Sequence, residues 1–194
     1  GSGETLYAIW GTGSTFYAVG ANGSIVKSSD GGQSWTAQAS PTAQVLRGVF
    51  GTSASQVVAA GDNGVIVRTS DGSTWSVIAS GVPTSFFAVT AIDATTYYAC
   101  GSNAVVLRSD NAGLTWQATS SLAVIGNARS LWGTVSDGIY VGASNGTIWR
   151  SSDRGQSWTS IPTGGAGNSW YGLCGVPLGV AYSVGAGGSV IRVQ

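Results

Sequence analysis

Ser28-Ser-Asp-Gly-Gly-Gln-Ser-Trp35 decides how this chain is read, because the chain repeats it. It returns as Thr69-Ser-Asp-Gly-Ser-Thr-Trp75 (one residue shorter), Ser109-Asp-Asn-Ala-Gly-Leu-Thr-Trp116 and Ser151-Ser-Asp-Arg-Gly-Gln-Ser-Trp158. The shared form is a box, Ser-x-Asp-x-Gly-x-Ser/Thr-Trp, with Asn111 in the Asp place of the third copy. Asp and Ser side chains bond nearby backbone N–H groups, and Gly admits positive φ. The Trp then enters the next strand and covers the turn with a large apolar ring. The box therefore predicts a structural hairpin turn, anchored at Asp30, Asp71, Asn111 and Asp153 and at Trp35, Trp75, Trp116 and Trp158.

Outward from the box, other columns keep the same rhythm. The Asp places are spaced 41, 40 and 42 residues apart. Asn22, Asn63, Asn103, Asn145 and Gly187 run in step, as do Lys27, Arg68, Arg108, Arg150 and Arg192, and Tyr17, Val58, Tyr98, Tyr140 and Tyr182. That makes five repeats, the last incomplete. Each reads as four short strands with an Asn-Gly hairpin between the second and third, and no segment holds a helical period. Repeats of about 40 residues with four strands each predict an all-β, five-bladed β-propeller. The blades fall at about 6–39, 46–79, 86–120, 128–161 and 170–194, and 1–5 reads as a tail or cloning remnant. Ala8, Gly48, Ala88, Ser130 and Gly172 are small, as a crowded innermost strand requires. The fifth repeat stops where its box should begin, which predicts a three-stranded last blade and a ring held by packing of blade 5 on blade 1.

Composition narrows the functional classes. The 194 residues include eight Lys/Arg against eight Asp/Glu, and charged residues make up 8% of the chain, against roughly 25% in an average soluble domain. No basic field is available for nucleic acid or an anionic membrane. No apolar run is long enough for a transmembrane helix. A surface of Ser, Thr, Gly, Asn and Gln suits a secreted or periplasmic protein, although no leader is visible. Cys100 and Cys174 are read as free, buried thiols.

At the boxes the chain resembles the Asp-box (BNR) repeat superfamily of propellers, which includes sialidases, xyloglucanases, sortilin-type receptors and photosystem II assembly-factor-like proteins. The form Tyr17-Ala-Val-Gly-Ala-Asn-Gly-Ser-Ile-Val-Lys-Ser-Ser-Asp-Gly-Gly-Gln-Ser-Trp35 is most similar to the assembly-factor-like bacterial propellers. The resemblance implies that the box is a structural turn away from the active face. Sialidase relatives use an Arg triad and a Tyr/Glu nucleophile pair. This chain lacks their Arg-Ile-Pro signature and has no Glu beyond Glu4.

The residues themselves argue against an enzyme. The chain has no His, which removes the usual triads and His-containing zinc sites. Asp62 has no evident carboxylate partner for glycoside hydrolysis, the catalytic alternative. The boxes offer one carboxylate each, too few for calcium, so neither metal nor cofactor is expected. The basic column reads as ties to the box turns in preference to a polyanion site. One column at the start of the first strand of each blade is suggestive: Tyr7, Arg47, Phe87, Arg129 and Tyr171, with Trp170 beside it. These would ring a funnel with aromatic faces and two guanidinium groups, or else serve blade-to-blade packing. The favoured reading is a rigid scaffold docking a protein partner, with 117–128 and 159–169 as further loops on offer. The alternatives are a lectin for neutral glycans and a structural or engineered module. Ligand identity and oligomeric state are not readable from the sequence.

Overall fold

A computed structural model describes residues 3–122, 126–163, 168–176 and 180–193. They form five separate antiparallel sheets, four of four strands and the last of three. Blade 1 comprises β1 (Leu6–Thr12), β2 (Thr15–Gly20), β3 (Ile25–Ser28) and β4 (Thr36–Ala37). Blade 2 comprises β5 (Leu46–Gly51), β6 (Val57–Gly61), β7 (Ile66–Thr69) and β8 (Trp75–Ile78). Blade 3 comprises β9 (Phe86–Ala91), β10 (Tyr97–Gly101), β11 (Val106–Ser109) and β12 (Gln117–Ala118). Blade 4 comprises β13 (Ala128–Thr134), β14 (Gly138–Ala143), β15 (Ile148–Ser151) and β16 (Thr159–Ile161). Blade 5 has β17 (Trp170–Val176), β18 (Val180–Gly185) and β19 (Val190–Val193). This is the five-bladed propeller with a three-stranded last blade that the repeats predict.

Local chemistry sets the turns. Asn22 (φ 53°) and Gly23 (φ 69°) are both left-handed, and Ser24 N donates to Ala21 O at 2.9 Å. This is the type I′ geometry that suits the twist of a hairpin. Asn63–Gly64, Asn103–Ala104 and Gly187–Gly188 repeat it. Blade 4 differs, since there only Gly146 is left-handed. After each second strand, a backbone N–H reaches the carbonyl just before the first strand. The five bonds are Ala21 N to Thr5 O, Asp62 N to Val45 O, Ser102 N to Ser85 O, Ser144 N to Asn127 O and Ala186 N to Ser169 O, at 2.8–2.9 Å.

The first strands of consecutive blades pack on one another, β1 on β5, β5 on β9, β9 on β13 and β13 on β17. The small residues predicted for this crowded position lie at that contact. A Cβ on Gly48 would come within 3.0 Å of Val89 N, and Ser130 Oγ donates to Trp170 O at 3.2 Å. Apolar residues on the faces of adjacent blades then make four cores. Tyr17, Val19 and Ile25 meet Val49, Val57, Val67 and Trp75. Val58, Ala60 and Ile66 meet Val89, Tyr97 and Leu107. Tyr98, Cys100 and Val106 meet Leu131, Ile139 and Trp149. Tyr140 and Ile148 meet Trp170, Ala181 and Val193.

Blades 1, 2 and 3 each also hold the box turn of the blade after them. Tyr17 Oη and Lys27 Nζ donate to Gly72 O (2.9 and 2.8 Å), Arg68 Nε to Ala112 O (2.6 Å) and Arg108 Nη1 to Arg154 O (3.1 Å). Arg150 instead bonds within its own blade, to Asp137 O. The accepting residues follow the box Asp or Asn and are all left-handed, with φ of 76°, 58° and 60°.

Two expectations need correction. No fifth core joins blade 5 to blade 1 among the described residues. Ile9 on blade 1 is 62% exposed, and Tyr182 on blade 5 is 43% exposed, whereas its counterparts Tyr17, Tyr98 and Tyr140 are buried. Among the described residues the interface repeats four times. The two thiols are indeed free, but only Cys100 is buried; Cys174 lies on the open face of blade 5 and is exposed. Burial pushes the Cys100 thiol far above the usual range.

Candidate functional site

The box turns are self-contained. In the first, Ser28 Oγ donates to Asp30 Oδ1 (2.7 Å) and accepts from Gly32 N (2.9 Å). Asp30 also accepts from Ser34 N (3.0 Å) and Ser34 Oγ (2.5 Å), and Trp35 Nε1 donates to Gly32 O (3.1 Å). Thr69, Asp71 and Thr74, Ser109, Asn111 and Thr115, and Ser151, Asp153 and Ser157 repeat the pattern. Trp116 Nε1 bonds Gly113 O in the same way. Among the described residues the Trp75 and Trp158 indole N–H groups have no hydrogen-bond partner, and the reason lies in the preceding blade. Gly72 O is taken by Tyr17 and Lys27, and Gly155 O by Ser120.

These bonds hold the box carboxylates in the charged form. Hydrogen bonds from the Ser34 hydroxyl and backbone hold Asp30 well below the usual carboxylate range, and the Thr74 and Ser73 backbone N–H groups do the same for Asp71. The Ser157 hydroxyl and backbone lower Asp153 to about 2. A carboxylate with a depressed folded value stabilises the fold above its unfolded value, about 3.9, and loses that contribution as pH falls through the folded value. Asn111 already makes the same bonds through Oδ1, with Nδ2 donating to Thr115 Oγ1 at 2.8 Å. The triple variant Asp30→Asn, Asp71→Asn, Asp153→Asn is therefore expected to fold at neutral pH. It should lose less stability than the parent between about pH 4 and pH 2, as followed by urea denaturation across that range. An equal acid loss in both proteins would refute this account.

The suggestive column has a common backbone cause. In blade 1, Leu6 pairs with Gly20 and Ala8 with Val19, so Tyr7 is left out of the ladder. Arg47 is skipped between Leu46 and Gly48, and Phe87 between Phe86 and Ala88. Arg129 is skipped between Ala128 and Ser130, and Tyr171 between Trp170 and Gly172. Each blade thus has a β-bulge at the same place, and a bulge re-aims the side chain it carries. Along the row of inner strands the bulged residues alternate aromatic, guanidinium, aromatic, guanidinium, aromatic.

The structure brings neighbours of this row into contact in pairs. The Arg47 guanidinium lies over the Tyr7 ring at 5.7 Å, and that of Arg129 over the Phe87 ring at 4.5 Å. Arg47 is also forked onto Asp62, Nε to Oδ1 at 2.6 Å and Nη2 to Oδ2 at 2.8 Å. That hydrogen-bonded pairing raises the Arg47 value and lowers that of Asp62. Arg129 has no carboxylate partner among the described residues, and its Nε is buried without a hydrogen bond. Tyr7 and Tyr171 are 52% and 60% exposed. Trp170 departs from the group, being 1% exposed with Nε1 donating to Gly146 O at 2.9 Å. Its ring belongs to the core between blades 4 and 5.

Sequence reasoning missed the partner of Asp62. The signal was its place one residue beyond Gly61, which pairs with Leu46 and so sets Asp62 beside the bulged Arg47. Of the two loops offered for docking, 123–125 and 164–167 lie outside the described residues. Among the described residues no three His, Cys, Asp or Glu side chains cluster as metal ligands, and no helix is long and apolar enough to cross a membrane.

Five antiparallel sheets whose first strands pack one on the next put the chain among the β-propellers. It belongs to the family of the DUF6242 β-propeller domain, whose model matches residues 1–106. No curated protein matches it. Among solved structures it resembles YCF48 bound to D1 peptide, at 18% identity and a TM-score of 0.76, over 98% of this chain and 63% of that one. It also resembles an ancestral GH74 enzyme, at 18% identity and a TM-score of 0.77, over 97% of this chain and 28% of that one. A streptogramin B lyase matches at 13% identity and a TM-score of 0.75, over 100% of this chain and 70% of that one. The chain therefore spans less than two thirds of the first two. The likeness is one of fold, which binding proteins and enzymes share.

Proposed function

We propose that this chain is a non-catalytic binding propeller that docks a protein partner on the mouth formed by its bulged first strands and the adjoining turns. The observation that carries this reading is the bulge itself, repeated in all five blades and bearing Tyr7, Arg47, Phe87, Arg129 and Tyr171. Exposed tyrosine rings offer stacking surface, and an arginine without a carboxylate offers a forked donor to an acidic side chain or chain terminus. The protein partner is favoured over a glycan because one mixed row suits an extended, unsymmetrical ligand, whereas a sugar site repeated per blade calls for the same set five times. A propeller of the same fold, YCF48, is bound to a D1 peptide.

Catalysis is disfavoured by the state of the carboxylates. Asp30, Asp71 and Asp153 are engaged in their turns, Asp62 with Arg47, Asp93 with the Thr95 and Thr96 N–H groups, and Asp110 with Arg108. Asp137 accepts from Thr134 Oγ1, and Glu4 from Asn22 Nδ2. Asp30, Asp62, Asp71, Asp93 and Asp153 are held below the usual carboxylate range, in the charged form and not the protonated one that general-acid work requires. We read the four boxes as Asp-box repeats and place the protein outside the cytoplasm on its low charge.

The test is an array of extended peptides with acidic side chains and free C-termini, probed with the parent, Arg129→Ala and Tyr7→Ala/Tyr171→Ala. Selective binding that weakens by about tenfold or more in Arg129→Ala is expected, the size of a lost charge-assisted hydrogen bond. Peptide binding indifferent to all three substitutions, or selective binding on a parallel glycan array alone, overturns the reading.

A further inference from the structure

Two guanidiniums stand in the bulge row, and the chain supplies an anion to only one of them. Both belong to inner blades with a neighbour on either side, Arg47 to blade 2 and Arg129 to blade 4. Gly61 pairs with Leu46 and is followed by Asp62, while Ala143 pairs with Ala128 and is followed by Ser144, so Asp62 and Ser144 hold the same place beside the bulge. The main chain agrees, since Asp62 N donates to Val45 O and Ser144 N to Asn127 O, each at 2.9 Å. The side chains differ. Asp62 takes Arg47 in a two-bond fork, whereas Ser144 Oγ accepts from Asn127 N at 2.9 Å.

Arg129 is left with an aromatic ring and no anion. Its guanidinium lies over Phe87, 4.5 Å from the ring centroid, and the residue is part-buried. Among the described residues its Nε has no hydrogen-bond partner and no carboxylate pairs with it. A cation drawn out of water without a counter-charge is costly, and an entering carboxylate offsets that cost while gaining charge-assisted hydrogen bonds. The Phe87 ring holds the planar fork in place and adds its own attraction for the cation. Arg47 offers little of this to a ligand, because Asp62 already occupies it.

We infer that Arg129 is a single-carboxylate site, open because Ser144 stands where blade 2 has Asp62, and that Asp62 is a built-in occupant closing the matching site at Arg47. Its place in a binding surface rests on the docking reading above; what it adds is which end of a ligand goes where. A partner's carboxylate, from an acidic side chain or a chain terminus, seats on Arg129. Nε is covered, so the ligand meets the Nη1/Nη2 edge. The Arg47–Asp62 pair is neutral as a unit, and a second acidic group placed over it would meet the Asp62 carboxylate. The ligand segment over blade 2 is therefore uncharged.

Two soluble carboxylates test this: N-acetylglycinate, which has the form of a chain terminus, and propionate, which has that of an acidic side chain. Each is titrated at constant ionic strength into isotope-labelled protein, and the arginine Nε–H resonances, assigned with Arg47→Lys and Arg129→Lys, report on each site by NMR. In the parent a saturable shift is expected at Arg129 and none at Arg47, and the tighter of the two probes names the source. Ser144→Asp should weaken binding at Arg129 by at least about tenfold, because a tethered carboxylate acts at high effective concentration. Ser144→Asn, of similar size without the charge, should bind as the parent does. Asp62→Ser should open Arg47 as a second site, and this arm decides the matter if Ser144→Asp does not fold by circular dichroism. A silent Arg129 in the parent, an equal response at Arg47, binding unchanged in Ser144→Asp, or an Arg47 still silent in Asp62→Ser overturns the inference. Small carboxylates bound at Arg129 with no peptide captured on the array would keep this site and sink the docking reading; peptide capture indifferent to Ser144→Asp would do the reverse.

Discussion

Trp170→Ala is expected to destabilise the protein by about 3–5 kcal/mol, lowering the melting temperature by on the order of 10 °C. The indole is 1% exposed and fills the contact between blades 4 and 5 beside Tyr140, Ile148, Ala181 and Val193. The main chain at Trp170 is held too, since Ser130 Oγ donates to its carbonyl. Truncation to alanine opens a cavity in a place hemmed in by Gly142 and the β17–β18 ladder, which cannot collapse freely. Trp170→Phe separates ring volume from the indole N–H. Gly146 O keeps a second donor in Thr163 Oγ1 at 2.8 Å, so the phenylalanine variant should lose only about 1–2 kcal/mol. Denaturant titration of both variants measures this. A near-neutral alanine variant with specifically impaired peptide binding would instead make Trp170 a ligand residue.

Gly61→Ala is expected to cost about 2–3 kcal/mol, near the upper end for forcing extra atoms into a packed site. The cause is not backbone freedom, because φ at Gly61 is −168° and open to any residue. A Cβ there would overlap the Val45 carbonyl oxygen, which accepts the Asp62 N–H at 2.9 Å. Backbone presses on backbone, so relief requires moving the link into β5 and with it the bulge that carries Arg47. Blade 4 has Ala143 at this place, and it is the blade whose following turn abandons the type I′ form. Ala143→Gly should accordingly shift stability by no more than about 1 kcal/mol. If Gly61→Ala proves equally mild by urea denaturation, the close approach is not what selects glycine.

The repeats made the fold legible because turn chemistry is local. Asn-Gly pairs and the box specify their own geometry within a few residues, and copies at a fixed interval then give the strand count and blade count. The mouth was legible only in part. Column alignment picked out Tyr7, Arg47, Phe87, Arg129 and Tyr171, but the bulge behind them is a matter of register between two strands. Trp170 adjoins Tyr171 in the chain, yet successive strand residues point to opposite faces, and a strand-based reading separates them. The Arg47–Asp62 pair joins residues on different elements and shows up once Leu46 is paired with Gly61. Closure was misread because the packing of blade 5 on blade 1 depends on the summed curvature of all the blades, which no single repeat encodes.

The ties from blades 1, 2 and 3 to the next box turn bear on how such a gene can change. A duplicated unit of 40 to 42 residues brings its own basic side chain and its own accepting carbonyl. Inserted among the first four units, it leaves each of these donors facing an acceptor of the same kind. Blade number is then free to drift over evolutionary time without any contact being redesigned, because the energetics are those of nearest neighbours.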